Sequence, residues 1–160
     1  MRTPRPGFSV LKFLIILPTL LLFLSGCGLF GQRDNPLGRA AAKTSRQYLG
    51  VPYKLGGQSP SGFDCSGLTA YVYKRHGVSL PRTADQQAQK GQYVKKRNLL
   101  PGDLVFFRTS RFFGPVSHVG IYLGHDQFIN APGSGKKVAI ASLSTPYYQK
   151  YYHSARRIRE

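Results

Sequence analysis

The chain carries a cysteine and a set of histidines that suit nucleophilic catalysis. Cys65 follows a glycine-rich loop, Tyr53–Phe63, and lies one residue into a predicted helix, Asp64–His76. Unpaired backbone amides and the positive end of the helix dipole meet at such a position, and both favour a thiolate. The alternative is a buried structural cysteine, the commonest position of a free thiol. The polar and small neighbours of Cys65 are more typical of a cleft than of a core.

A cysteine nucleophile needs a base, and four histidines compete for that role. His118 opens an apolar strand predicted over His118–Leu123, so its ring projects from a rigid element. His76 lies three turns from Cys65 at the end of the same helix, while His125 and His153 fall in a turn and a tyrosine-rich tail. We interpret His118 as the base, against the alternative of a structural histidine at a strand edge.

Asn130 is the predicted partner of His118. A turn at Gly124-His125-Asp126 joins the His118 strand to one predicted over Gln127–Ala131, so the numbers of facing residues sum to about 248 to 250. An even sum places His118 and Asn130 on the same face, where the amide can hold one ring nitrogen while the other faces Cys65. The alternative is a polar residue that serves only the turn. Histidine spacing and the scarcity of acids predict no metal site.

Helices precede strands along the chain. Besides the Cys65 helix, helical patterns occur over Arg39–Leu49 and Thr83–Lys90. Five strands follow, predicted over Asp103–Phe107, His118–Leu123, Gln127–Ala131, Val138–Ala141 and Ala155–Ile158. This order predicts an α+β domain whose N-terminal helices pack on an antiparallel sheet of about five strands. The loop of residues 108–116, with Phe112 and Phe113, either covers the cleft or packs on the domain.

Residues 1–26 are predicted to be a lipoprotein signal peptide. A basic leader precedes an apolar run, Phe13–Leu24, that is too short to cross a bilayer. The run ends at Leu24-Ser25-Gly26-Cys27, which resembles a bacterial lipobox and implies cleavage before Cys27 and its acylation, palmitate included. Residues 27–37 would be a lipidated tether and residues 38–160 the folded domain. The alternatives are an ordinary signal peptide with a coincidental cysteine, and a buried core helix.

The composition is typical of one globular domain, and the net charge limits the classes of partner. The 160 residues are 41% hydrophobic and 18% charged, a composition that excludes wholesale disorder. Two cysteines are too few for a disulfide scaffold or a cysteine-ligated zinc site. Lys and Arg number 23 against six acids, a net charge of +17. Because the leader predicts export, we expect anionic envelope polymers or lipid headgroups rather than nucleic acid as partners. The alternative is a basic, solvated surface without a specific partner.

Seven motifs follow one another between residues 46 and 158. They are Tyr53-Lys54-Leu55-Gly56-Gly57, Gly62-Phe63-Asp64-Cys65-Ser66-Gly67-Leu68, Leu80-Pro81-Arg82, Pro101-Gly102-Asp103-Leu104-Val105-Phe106-Phe107, His118-Val119-Gly120-Ile121-Tyr122-Leu123-Gly124, Phe128-Ile129-Asn130-Ala131 and Ala155-Arg156-Arg157-Ile158. In order and spacing they resemble the NlpC family of papain-like cell-wall peptidases, and most of all its small Gram-negative lipoprotein murein endopeptidases.

The resemblance implies a papain-like core with Cys65 as nucleophile, His118 as base and Asn130 as the residue that orients the base. It also implies Tyr53 at the oxyanion position, with Asp64 and Ser66 lining the substrate cleft. Relatives usually have histidine where this chain has Asn130, and an amide can orient His118 but cannot share a proton with it.

The activity implied is a cofactor-free cysteine endopeptidase that cleaves an amide bond in murein stem peptides or crosslinks. We expect a monomer, anchored in the membrane through Cys27. Gly28 after that cysteine implies an outer-membrane lipoprotein facing the periplasm in a Gram-negative host. Two alternatives stay open at this point: a non-catalytic cell-wall-binding lipoprotein, and an amidase or acyltransferase that uses the same Cys-His pair.

Overall fold

The structure is a computed structural model of the chain, and it describes residues 35–109 and 114–159. The predicted signal peptide, Cys27 and most of the predicted tether lie outside the described residues, as do Phe112 and Phe113. None of the helices within the described ranges has the length and apolar character needed to cross a membrane.

The first helix of the described part of the chain, α1 (Pro36–Ser45), begins earlier than the sequence pattern predicts. The Asn35 side chain accepts a hydrogen bond from the Gly38 amide, and Pro36 occupies a first-turn position where proline is favoured. The last two residues of the predicted tether are therefore helical. A 3₁₀ turn at Arg46–Tyr48 continues α1.

Three further α-helices follow within residues 35–109 and 114–159. The second, α2 (Cys65–Lys74), is capped by Asp64, as its sequence predicts. The third, α3 (Ala84–Gln87), is shorter than predicted but carries a complete capping box between Thr83 and Gln86. The fourth, α4 (Pro146–Tyr151), was not predicted; it is six residues long and none of its residues is fully buried.

The strands form a two-stranded sheet and a six-stranded one. The small sheet pairs β1 (Gln58–Ser59) with β2 (Gly62–Phe63) just before α2. The large sheet is antiparallel with strand order β3-β8-β4-β5-β6-β7. Its members are β3 (Gln92–Tyr93), β4 (Leu104–Phe107), β5 (His118–Gly124), β6 (Gln127–Asn130), β7 (Ala139–Ser142) and β8 (Tyr152–Arg157). The α+β prediction is confirmed, and the sixth strand is the two-residue edge strand β3.

Alternation along β4 and β5 gives the large sheet two apolar faces. Leu104, Phe106 and Val119 belong to the core shared with α1 and α2, whereas Val105 and Phe107 belong to a second core on the opposite face. All buried members of both described cores lie between Leu37 and Ile158, so a chain that begins at Gly28 retains both.

A buried ion pair ties the start of β4 to the end of β8. Arg157 donates to both carboxylate oxygens of Asp103 at 2.8 and 2.7 Å, and Asp103 is completely buried. The Leu100 amide also donates to Asp103, and Arg157 donates to the carbonyl of Asn98. Both charged groups are therefore satisfied within the domain.

Candidate active site

The Cys65 sulfur lies where the N-terminus of α2 meets the start of β5. Backbone hydrogen bonds from Cys65 and Ser66, at the helix terminus, and from Val119, on the strand, reach it. The first amides of a helix have no partner inside the helix, so they are free to donate to the sulfur. The Val119 contact brings the thiol to the residue that directly follows His118. The sequence prediction that Cys65 faces unpaired amides is confirmed, while the contact with Val119 had no sequence signal.

Burial raises the pKa of the Cys65 thiol despite these hydrogen bonds. Removing the sulfur from water disfavours its charged form most strongly, and the negative charge of Asp64 acts in the same direction. The three backbone hydrogen bonds lower the pKa without reversing the net rise. The expected stabilisation of a thiolate is therefore wrong as a net effect, because desolvation outweighs the helix terminus.

His118 and Asn130 form a buried hydrogen-bonded pair. The His118 Nε2 lies 3.0 Å from the Asn130 Oδ1. The Asn130 Nδ2 donates to the Ala139 carbonyl at 3.3 Å, which orients the amide so that its oxygen faces the imidazole. Nε2 must then carry the proton, and Nδ1 is left as the basic nitrogen. The predicted shared face is confirmed, since β5 and β6 pair Ile121 with Ile129, which places His118 diagonally across from Asn130.

The imidazole of His118 is held in an apolar setting. His118 is only 7% exposed, and burial lowers its pKa, which the Asn130 hydrogen bond partly opposes. The Phe107 ring lies 5.9 Å from the imidazole, and the Tyr148 ring stacks at 6.5 Å with an angle of 21° between the planes. At neutral pH the lowered pKa keeps the ring neutral, which is the form a general base requires. The sequence pattern did not single out Tyr148.

The backbone of Tyr53 contacts two other parts of the chain, and its phenol lies within the electrostatic reach of Cys65. Its amide donates to the Lys136 carbonyl at 2.9 Å, and it forms an isolated bridge with Phe63. Burial is the main cause that raises the pKa of the Tyr53 phenol; charge on Cys65 and Asp64 raises it further, whereas Arg82 lowers it. The hydroxyl therefore shares the electrostatic surroundings of the predicted nucleophile.

Asp64 and Ser66 belong to one polar network with Arg82. The Asp64 carboxylate accepts from the Gly67 amide at 2.7 Å and from the Gly56 amide at 3.0 Å, and Arg82 pairs with it at 2.5 Å. Ser66 donates to Asp64 and accepts from Arg82 at 3.0 Å. The Arg82 side chain is 38% exposed against 9% for Asp64, so Arg82 is the member that faces solvent. Arg82 belongs to the motif Leu80-Pro81-Arg82, but no role for it was predicted from the sequence.

A buried glutamine fixes the segment that carries Arg82 against the first turn of α2. Gln87 donates to the Ser66 carbonyl at 3.0 Å and to the Pro81 carbonyl at 2.8 Å, and it accepts from Thr69 at 2.7 Å. Gln87 is completely buried. Because each of these polar groups is satisfied, the network holds this segment rigidly against α2. Within residues 35–109 and 114–159, no group of three or more His, Cys, Asp or Glu side chains could hold a metal ion.

Comparison with known proteins finds one family and close structural similarity. Residues 50–157 match the NlpC/P60 family. The murein DD-endopeptidase MepH of Escherichia coli is 42% identical over 124 residues, which cover 75% of this chain and 45% of that protein. A probable endopeptidase of Haemophilus influenzae is 37% identical over 157 residues, covering 89% of this chain and 96% of that one. The crystal structure of an NlpC/P60 family protein from Bacillus cereus superposes with a TM-score of 0.72 at 40% identity, covering 78% of this chain and 41% of that one. The chain spans less than half the length of the first curated relatives it matches.

Proposed function

This chain belongs to the NlpC/P60 family, and on that premise we propose that it is a cysteine peptidase that cleaves an amide bond in the stem peptides or crosslinks of peptidoglycan. The observation that carries the proposal is the meeting of the Cys65 sulfur with the backbone of Val119, the residue that follows His118 of the His118–Asn130 pair. The similarity to a murein endopeptidase supports peptidoglycan as the substrate.

In the proposed reaction His118 moves a proton twice. Its unprotonated Nδ1 takes the proton of the Cys65 thiol as the sulfur attacks the substrate carbonyl carbon. The imidazolium then gives that proton to the leaving amine, and the C–N bond breaks to leave a thioester. Water, deprotonated by the same nitrogen, hydrolyses the thioester and restores the thiol. Asn130 keeps Nε2 protonated throughout, so the basic nitrogen always faces the reacting atoms.

Tyr53 and the backbone amide of Cys65 are the proposed donors to the oxyanion. A donor of this kind contributes about 3 kcal/mol to stabilising the transition state in other hydrolases. The hydroxyl of Tyr53 suits this role because its raised pKa keeps it protonated at neutral pH. Asp64 and Ser66, held by Arg82, are proposed to line the cleft on the same side as Tyr53, with Arg82 offering its exposed guanidinium to an anionic part of the substrate.

We also propose that the enzyme is a monomer attached to a membrane through acyl chains on Cys27. The lipobox-like residues 24–27 support this proposal, which places the domain in the cell envelope and, in a Gram-negative host, on the periplasmic face of the outer membrane. Acyl chains contribute about 0.8 kcal/mol per buried methylene, so several chains give firm attachment.

The basic surface is proposed to hold the domain against the anionic wall polymer. The chain has 23 Lys and Arg side chains against six acids, and two of those acids, Asp64 and Asp103, are already paired with Arg82 and Arg157, so the remaining basic side chains far outnumber the remaining carboxylates. Activity on purified wall is expected to fall as salt rises, because salt screens exposed charges beyond about 8 to 10 Å at physiological ionic strength. Hydrolysis of purified wall measured over a salt series tests this, and a flat profile contradicts it.

The deciding experiment is mass spectrometry of muropeptides from purified wall after incubation with residues 28–160 or with the Cys65→Ala variant. Cleaved stem peptides from the first protein alone support the proposal, and their masses identify the bond. Intact wall with both proteins, each shown to be folded, favours a binding lipoprotein. Products other than cleaved stem peptides favour an amidase or acyltransferase.

A further inference from the structure

Tyr148 contacts both members of the His118–Asn130 pair. Its hydroxyl lies 3.5 Å from the Asn130 Oδ1, the same oxygen that accepts from His118. Its ring stacks on the imidazole with 21° between the planes and 6.5 Å between the centroids. Asn130 is thus held by three groups: its oxygen by His118 and Tyr148, and its nitrogen by the Ala139 carbonyl.

The position of Tyr148 is fixed by packing rather than by its helix. Its ring lies 4.7 Å from Phe128 and 5.0 Å from Phe107, both of which are completely buried. The helix α4 that carries Tyr148 has no fully buried residue and no side-chain cap at Thr145. A short, uncapped helix of this kind is weak by itself, so its aromatic contacts with the sheet determine where it lies.

We propose that Tyr148 is a positioning residue of the active site, which holds Asn130 with its oxygen on His118 and shields the imidazole from water. Its place in the reaction rests on the proposed function, whereas its effect on His118 does not. The hydroxyl and the ring have separate tasks. The hydroxyl fixes the orientation of the Asn130 side-chain amide, and the ring excludes water from the imidazole of His118.

If the Tyr148 ring excludes water, its removal must change the pKa of His118 measurably. Burial is the cause that lowers the pKa of His118, so a substitution that admits water must let that pKa rise toward its ordinary value. The groups that face the imidazole are Asn130 from β6, Phe107 from β4 and Tyr148 from α4. The Cys65 thiol of α2 is a further neighbour, because it meets the backbone of Val119, the residue after His118. Among these only the thiol and the phenol titrate, and the pKa of each is raised by burial, so both are neutral when His118 titrates.

The test compares Tyr148→Phe and Tyr148→Ala with Tyr147→Ala in residues 28–160. Tyr147 is the control for a disturbance of α4, because it lies on the same helix, is 52% exposed and packs edge-on against Tyr148 with 5.2 Å between the ring centroids. The readout is the imidazole titration of His118 followed by NMR, with the His118 signal assigned through its loss in His118→Gln. Titration needs no substrate, so it gives an answer even if the protein has no activity on wall and the proposed function fails.

In the wild type and in Tyr147→Ala we expect His118 to titrate below pH 6.5. In Tyr148→Ala the midpoint moves up toward that value, and kcat falls at least about tenfold with KM unchanged. In Tyr148→Phe the midpoint stays near that of the wild type, and kcat falls about two- to fivefold, which corresponds to one weak neutral hydrogen bond.

Two results overturn the proposal. One is a folded Tyr148→Ala protein whose His118 titrates as in the wild type. The other is an equal upward movement in Tyr147→Ala, which shows that any disturbance of α4 has the same effect. If Tyr148→Ala does not fold, Tyr148→Leu takes its place, since leucine fills part of the apolar space without covering the imidazole face; an unmoved midpoint there also overturns the proposal.

Discussion

Asp64 combines two roles that substitution can separate, a helix cap and a negative charge that acts on the Cys65 thiol. It caps α2 by accepting from the Gly67 amide, it accepts from the Gly56 amide, and it pairs with Arg82. Its charge also raises the pKa of the Cys65 thiol. Alanine removes both carboxylate oxygens and the charge, whereas asparagine keeps one oxygen that can cap Gly67 and loses the charge together with the second oxygen, which accepts from Gly56 and Arg82.

The structure gives a different stability cost for each change. Loss of the cap costs about 1 kcal/mol, and loss of the acceptor for Gly56 about another 0.5 to 1 kcal/mol. The ion pair adds at most about 1 kcal/mol, because the Arg82 side chain is 38% exposed and is rehydrated when its partner is removed. We therefore expect Asp64→Ala to lose about 2 to 3 kcal/mol of the free energy of unfolding, close to a 10 °C fall in Tm, and Asp64→Asn, which keeps only the cap, about 1 to 2 kcal/mol.

The thiol responds to the charge alone. Since the Asp64 carboxylate raises the pKa of Cys65, both substitutions are expected to lower it, and the asparagine variant does so with the cap kept. Residues 28–160 contain Cys65 as their only cysteine, so the rate of alkylation by iodoacetamide over a pH series reports this pKa directly. Urea denaturation gives the free energies of unfolding.

Thr83→Ala is the matched control, because Thr83 caps α3 in the same manner but makes no contact with the thiol. It should lose about 1 kcal/mol of stability with no change in the alkylation profile. An Asp64→Asn protein as unstable as Asp64→Ala would refute the division into cap and charge. An unmoved thiol pKa in both Asp64 variants would refute the electrostatic part.

The remaining predictions concern two buried polar pairs. Asn130→Ala and Asn130→Asp should move the His118 pKa in opposite directions: alanine lowers it by removing the hydrogen bond that raises it, and aspartate raises it by placing a carboxylate against the imidazole. NMR titration of His118 measures both, and a shift of the same sign in the two variants contradicts the argument. Arg157→Ala should cost about 3 to 5 kcal/mol by urea denaturation, because it leaves the completely buried Asp103 without its cation. Arg157→Leu combined with Asp103→Leu should recover most of that loss, and a double variant as unstable as Arg157→Ala contradicts this explanation.

Elements with a repeating pattern and a terminal signal could be predicted from the sequence. The helix after Asp64 and the hairpin around Gly124-His125-Asp126 were predictable because capping chemistry and strand alternation are local. His125 and Asp126 both adopt positive φ at that turn. The shared face of His118 and Asn130 followed from the same alternation, without any knowledge of the rest of the fold.

The elements that escaped prediction depend on distant partners. Strand β3 has only two residues and exists because it pairs with β8, more than 60 positions away. Helix α4 has no cap or apolar stripe of its own and is held by Tyr148 against the second core. Arg82 and Gln87 acquire their roles only when their segment packs on the first turn of α2. The two residues of such a contact lie far apart in the sequence, so no short segment contains both of them.

The sign of the thiol pKa shows why position on a helix does not decide reactivity by itself. A helix N-terminus favours a thiolate, but the fold buries Cys65 and adds the charge of Asp64, so the net shift favours the neutral thiol. Burial lowers the pKa of His118 and therefore favours the neutral imidazole. In the proposed mechanism both groups therefore rest uncharged, and charge develops only as the sulfur attacks a bound carbonyl. Because the thiolate is the form that oxidants attack, the same burial protects the Cys65 thiol from oxidation.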